Sequence, residues 1–175
     1  RHMPIVDASG RVIGLETLDE LVSPKQRDNW VVIMAGGLGS RLHPLTLDTP
    51  KPLLEVGGKP ILETIISNFA NNGFHNIFIS VNYRAIQVHD YFGDGSRWGI
   101  NIQYLREEKS LGTAGALSLL PEKTDLPVIV MNGDILTTIN FTRILDFHQE
   151  HKASATMCVR EKSFQIPYGV VEIQA

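Results

Sequence analysis

From Trp30 onward, short apolar runs alternate with stretches of helical periodicity, and this alternation limits the possible folds sharply. Trp30-Val31-Val32-Ile33-Met34 reads as a buried strand, as do Ile77-Phe78-Ile79-Ser80-Val81 and Pro127-Val128-Ile129-Val130-Met131. Ile100-Asn101-Ile102-Gln103-Tyr104 alternates like a further strand, and residues 153–160 read as one more. Residues 60–72 place Ile61, Leu62, Ile65, Ile66, Phe69 and Ala70 on one helical face, with Gly73 as the stop. Helices are also expected over 84–92, from about Thr113, and over 141–151, with a turn at Gly93-Asp94-Gly95-Ser96. Strands separated by helices form a mainly parallel, doubly wound α/β sheet. In such sheets ligands bind beyond the carboxyl ends of the strands. Three polar segments fall there: 35–41, 107–115 and 132–134.

The first of these carries the strongest chemical signal. Gly36, Gly37 and Gly39 follow the first strand directly, so the backbone can turn tightly and present N–H groups unscreened by side chains. A nest of amides at a strand end suits phosphate oxygens. Arg41 offers a planar fork and Lys51 a point charge, both natural phosphate partners, and Pro44, Pro50 and Pro52 stiffen the segment that separates them. Two familiar phosphate motifs do not fit. The dinucleotide fingerprint starting at Gly37 and Gly39 meets Leu42 at its third glycine, and a P-loop ending at Gly58-Lys59 lacks its first glycine and meets Pro60 at its hydroxyl position.

Composition narrows the partners. The chain has 175 residues, enough for one α/β domain, with 43% hydrophobic and 20% charged residues as in an ordinary soluble protein. A net charge of −3 gives no electrostatic case for nucleic acid or an anionic membrane. No apolar stretch approaches the ~18 residues of a membrane span. The one cysteine, Cys158, is expected as a small buried strand residue, which leaves no disulfide framework and fits a reducing, cytoplasmic setting. His148 and His151 could mimic a metal pair beside Asp146 and Glu150, but a solvated helix face explains them better, and His43 has no assigned role. Asp134, in Asn132-Gly133-Asp134, is either a carboxylate for a hard ion such as magnesium or a turn aspartate capping the next helix.

The segment 35–54, AGGLGSRLHPLTLDTPKPLL, resembles nearly residue for residue the signature of the sugar-1-phosphate nucleotidyltransferases, G-x-G-[ST]-R-L-x-P-L-T followed by P-K-P-L-L. The resemblance runs over 30–175 and implies a Rossmann-like sheet of the nucleotide-diphospho-sugar transferase type. It implies that Ala35, Gly36, Gly37, Gly39, Ser40 and Arg41 hold the nucleotide's phosphates, that Lys51 neutralises the reacting phosphates, and that Asp134 holds Mg2+. The position five residues before Gly112 meets the nucleobase in this family, and here it is Glu107. A glutamate only accepts hydrogen bonds, which matches the adjacent N1–H and 2-amino donors of guanine. The pattern from Glu107 to Gly115 is similar to that of mannose-1-phosphate guanylyltransferases, so GTP is the favoured triphosphate and a GDP-sugar the favoured product. Asn132 and Gly169, the latter in Tyr168-Gly169-Val170-Val171-Glu172, are implied sugar contacts. The partners implied are a nucleoside triphosphate and a sugar 1-phosphate, with a homo-oligomer expected. A different class, a non-catalytic sensor of nucleotide sugars, is disfavoured because Arg41, Lys51 and Asp134 are all present.

The N-terminus is a separate unit. Residues 1–3 read as a tag remnant and are set aside. Residues 4–22 hold two short apolar runs around the turn Asp7-Ala8-Ser9-Gly10, then a helix start after Thr17, and resemble the last strand–turn–strand–helix of a CBS domain. A polar linker over 23–29 joins this remnant to the transferase segment at 30–175. The family's sugar-gripping E-K-P segment, second metal carboxylate and closing strands are expected beyond Ala175, with the domain C-terminally truncated and an exposed edge near Val170-Val171-Glu172-Ile173.

Overall fold

The computed structural model describes residues 2–17, 25–109, 111–121, 124–165 and 167–169. Two sheets form. Strands β1 (His2–Val6) and β2 (Val12–Thr17) make an antiparallel hairpin, and β3 (Arg27–Met34), β4 (Phe74–Val81), β5 (Asn101–Arg106) and β6 (Ile129–Asn132) make a parallel sheet in the order β5-β4-β3-β6. Among the described residues there are also three α-helices, α1 (Ile61–Asn71), α2 (Ala85–Phe92) and α3 (Phe141–Glu150), and four short 3-10 helices.

The hairpin closes as the sequence predicts. Asp7 Oδ1 accepts from the Ser9 N–H at 2.9 Å, the Ser9 hydroxyl at 2.6 Å and the Arg11 N–H at 3.0 Å. These bonds, the Ser9 hydroxyl foremost, hold the Asp7 carboxyl below its ordinary value. His2 and Met3, set aside as a tag remnant, pair with Thr17 and Glu16 and belong to β1. The helix start expected after Thr17 lies outside the described residues. The linker is shorter than expected, because β3 begins at Arg27 and pairs there with Phe74.

Strand alternation divides the core between the two faces of the parallel sheet. Val31, Ile33, Ile77 and Ile79 point to one face and pack with Leu62, Ile66 and Phe69 of α1, Val88 and Phe92 of α2, and Phe141 and Leu145 of α3. Phe69 is the hub. It stacks on Phe141 at 4.1 Å between centroids and meets Phe74 edge-on at 5.8 Å. Helix α1 ends as predicted, with Gly73 at φ 86° and its N–H on the Ala70 carbonyl at 3.0 Å. On the other face, Val32, Phe78 and Leu105 pack with Trp30, Leu117, Leu120 and Val128.

The order of strands explains this division. Successive crossovers from β3 to β4 to β5 run in one direction and place α1 and α2 on the first face. The connection from β5 to β6 must return past β3, and it crosses the second face. A turn of 3-10 helix at Gly115–Leu119 takes the place of the helix expected from Thr113. Between β3 and β6 the strand order reverses, which makes their carboxyl ends the topological switch point of the sheet.

Residues 153–160 do not form the expected strand. They carry no ladder to β6 among the described residues, and a strand without a hydrogen-bonded neighbour is not a strand. Cys158, expected buried, is therefore exposed. The edge at 170–173 lies outside the described residues. No helix among the described residues is long and apolar enough to cross a membrane.

The aromatic hub sets the stability of the sheet's first face. Phe69→Ala should cost ~3–5 kcal/mol in urea unfolding, because it empties a site closed on all sides. Ile86→Ala, at a residue 76% exposed, should stay within about 0.5 kcal/mol of the parent.

Candidate active site

A cleft of about 720 Å³ opens at the switch point. Its floor is the end of β3, where the Ala35 N–H bonds to Ser80 O at 3.0 Å on one side and Met34 O accepts the Gly133 N–H at 2.8 Å on the other. The glycine loop and the 132–134 segment leave the sheet at this clamp, and Glu107, Glu108, Lys109, Gly112 and Thr113 after β5 line the cleft beside them.

The loop after β3 is held from behind by Thr46. This residue is fully buried, and its Oγ1 donates to Gly39 O at 2.9 Å. Gly39 sits at φ 67°, and a Cβ there would lie 2.9 Å from Thr46 Cγ2, so both backbone conformation and space require glycine. Past Gly39, a single 3-10 turn at Ser40–Leu42 carries Arg41, which is exposed along the cleft and makes no salt bridge among the described residues. The far side of the loop is anchored by Arg84, whose Nη2 donates to Leu47 O while its guanidinium lies 3.6 Å from Asp48. Gln87 Nε2 adds a bond to Asp48 O at 3.2 Å.

Lys51 lies in a second 3-10 turn, Lys51–Leu53, between Pro50 and Pro52, both buried. The two rings fix the backbone on either side of the lysine. Its ammonium pairs with the carboxylate of Asp134, which follows the end of β6. Both side chains remain about one-third exposed, at 31% and 37%, so the pair faces the cleft. Asp134 therefore already holds a cation at the strand end.

Glu107 closes the opposite wall. Its N–H bonds to Val81 O at 2.9 Å, extending the β4–β5 ladder, and its carboxylate turns back over the glycine loop. One carboxylate oxygen accepts from the Ser80 hydroxyl and the other from the Leu111 N–H at 3.2 Å. A Cβ on Gly36 would lie 2.8 Å from Glu107 Oε1. Gly36 is thus a glycine because a carboxylate occupies the space beside it.

The expected site residues converge with one exception. Ala35, Gly36, Gly37, Gly39, Ser40, Arg41, Lys51, Glu107, Gly112, Asn132 and Asp134 all line the cleft. Gly169 does not. It is exposed, with nothing within 4 Å of its Cβ position, and among the described residues the segment after α3 forms no ladder with the sheet. Sequence reasoning assigned no role to Asn82 and Lys109, which also line the cleft, or to Ser80 and Thr46. Ser80 had a visible signal: one hydroxyl in an otherwise apolar run, one residue before the strand's carboxyl end. His148 and His151 behave as a helix face, with their Nδ1 atoms bonded to Thr156 Oγ1 and Phe147 O at 2.9 Å each. Among the described residues no cluster of three metal-ligating side chains occurs.

The latch behind the loop is testable without any ligand. Thr46→Val keeps the shape but strips the donor from a part-buried carbonyl, and should lower unfolding stability by ~1 kcal/mol in a denaturant titration. Gly37→Ala, with nothing near its Cβ position and no positive φ, should be close to neutral in the same titration.

The comparisons agree with this geometry. The chain is 37% identical over 127 residues to a mannose-1-phosphate guanylyltransferase of Mycobacterium tuberculosis, covering 72% of this chain and 35% of that relative. It is 38% identical over 144 residues to a mannose-1-phosphate guanyltransferase of Candida albicans, covering 80% of this chain and 40% of the relative. The chain thus spans about two fifths of the length of these relatives. The solved structure of HddC from Yersinia pseudotuberculosis complexed with GMP-PN superposes with a TM-score of 0.61 at 29% identity, over 69% of this chain and 54% of HddC. A family model described as nucleotidyl transferase matches residues 30–175, and with the switch-point cleft built from that same stretch, the chain belongs to the nucleotidyl transferase family.

Proposed function

We propose that this chain carries the nucleotide half of a sugar-1-phosphate guanylyltransferase. The supporting observation is the convergence, at one strand-end cleft, of an amide-lined glycine loop, two cations and a carboxylate poised as a double acceptor. The relatives named mannose-1-phosphate guanylyltransferase favour GTP and mannose 1-phosphate as substrates.

In the proposed reaction a phosphate oxygen of the sugar 1-phosphate attacks the α-phosphorus of GTP. The new O–P bond forms as the bond to pyrophosphate breaks, which leaves a GDP-sugar. The nucleophile is already an anion, so no general base is needed, and the protein's work is alignment and charge neutralisation. The loop amides and Arg41 would bind the β- and γ-phosphates and stabilise the departing pyrophosphate. Lys51 would serve the reacting phosphates. Glu107 would accept N1–H and the 2-amino group of guanine.

The donor set suits a magnesium ion. Asp134 is a hard oxygen ligand at the cleft that already holds a cation, and magnesium is commonly bound by one or two carboxylates together with substrate phosphates. Such an ion supplies charge neutralisation on the phosphates. Asp134 would hold it, and Lys51 would then be released from Asp134 toward the phosphates. The β1–β2 hairpin fits the strand–turn–strand end of a CBS domain, which is the reading favoured for the N-terminal unit.

Three substitutions test the assignment in the full-length enzyme by pyrophosphate release. Arg41→Ala and Lys51→Ala should each reduce turnover ~10²–10³-fold with the fold intact. Unchanged turnover in both would overturn the catalytic roles of the two cations, whereas a parent that binds a nucleotide sugar without releasing pyrophosphate would support a non-catalytic sensor instead. Glu107→Gln should lower the preference for GTP over UTP, because one guanine donor then faces an amide N–H. A parent enzyme that prefers UTP would overturn guanine reading while leaving the transferase class in place.

A further inference from the structure

Three buried polar side chains occur among the described residues, Asn29, Thr46 and Ser80. Two of them hold main-chain carbonyls: Asn29 Nδ2 donates to Pro127 O at 2.8 Å, and Thr46 Oγ1 to Gly39 O at 2.9 Å. Ser80 is different. Its side chain is fully buried in the apolar strand β4, and its hydroxyl donates to Glu107 Oε1. A hydroxyl in such a place is unfavourable without a partner, and alanine would fill nearly the same space at no polar cost. The hydroxyl's partner is a cleft carboxylate.

The rest of the carboxylate's surroundings reinforce this. Leu111 N–H holds the second oxygen at 3.2 Å, and Gly36 leaves the space that the first oxygen occupies. Glu107 is therefore fixed from two elements before any nucleotide arrives. Each carboxylate oxygen still has acceptor capacity for a further donor. A side chain already held in one rotamer loses little freedom on binding, so its hydrogen bonds translate more fully into affinity. The Ser80 main chain also accepts the Ala35 N–H at 3.0 Å, which ties the start of the phosphate loop to the same residue.

We infer that Ser80 is a positioning residue for nucleobase selection: by fixing the Glu107 carboxylate beside the glycine loop, it aligns both oxygens for the two adjacent donors of guanine. The inference rests on the guanine-reading role proposed for Glu107. Ser80 does not touch the base itself and acts through Glu107.

The test is calorimetric titration of the chain and its variants with the magnesium complexes of GTP, ITP and UTP. ITP lacks the 2-amino donor, so the ratio of GTP to ITP affinity reads the alignment of the second oxygen. The parent should bind GTP about tenfold more tightly than ITP, the worth of one charge-assisted hydrogen bond. Ser80→Ala should bring that ratio to within about twofold of unity, with ITP and UTP affinities changed by less than about threefold, and Ser80→Thr should keep the parent ratio. If Ser80→Ala does not fold by circular dichroism, Ser80→Cys, a near match in shape with only a weak donor, should still lower the ratio by about threefold or more. A GTP/ITP ratio untouched by these substitutions, or a parallel loss of all three nucleotides, overturns the role of Ser80 while leaving guanine reading by Glu107 in place. A parent that binds GTP, ITP and UTP equally overturns the Glu107 reading, and the role of Ser80 with it.

Discussion

The end of β3 is clamped from both sides, and the site depends on that clamp. Ala35 N–H reaches Ser80 O across to β4, and Met34 O takes the Gly133 N–H from the segment after β6. These two bonds lie where the strand order reverses, so neighbouring connections leave the sheet toward opposite faces and a cleft opens between them. The glycine loop then lines that cleft, held from behind by the Thr46 hydroxyl on Gly39 O. The same clamp brings Asn132 and Asp134 within one opening of Arg41 and Lys51, although 83 residues separate Lys51 from Asp134 in the chain.

Around the clamp the charges are arranged in reserve. Lys51 and Asp134 neutralise each other, and both stay partly exposed. A partly exposed ion pair contributes little to stability, because water screens it and ordering two side chains costs entropy. Its meaning is therefore better sought in ligand exchange than in folding. In the proposed function, entering phosphates and a divalent ion would offer each partner a new counter-charge. Glu107 follows a different rule. It is tied down by Ser80 and Leu111, so in the proposed guanine-reading role it would act as a preset acceptor rather than as a charge to be exchanged. One wall of the cleft thus carries a partly exposed ion pair, and the other a carboxylate held from two elements.

Much of this was legible in the residues themselves. The strand at Trp30, the glycine run, and the stiff proline-flanked Lys51 gave the phosphate loop its reading, and the alternation after Gly73 set the parallel sheet. Where the reading failed, the missing information was a partner. Residues 153–160 have strand-like composition, but composition does not supply a hydrogen-bonded neighbour, and the exposure of Cys158 follows from that absence. Thr113 opens a plausible helix, yet the return across the second face forms a 3-10 helix at Gly115–Leu119 in its place. Arg27 reads as part of a polar linker, yet it pairs with Phe74 because β4 is already there to receive it.

What the sequence determined by itself was local: which segments are apolar with a period of two or 3.6, where glycine and proline interrupt them, and which short motif reads as a phosphate loop. These follow from bonded geometry and side-chain periodicity, which act over a few residues. Tertiary structure alone decided the order β5-β4-β3-β6, the pairing of Lys51 with Asp134, and the burial of the Ser80 hydroxyl against Glu107. Those contacts join residues far apart in the chain, and they exist because crossover handedness and the packing of Phe69, Phe74 and Phe141 leave the strand ends only one arrangement in which to meet.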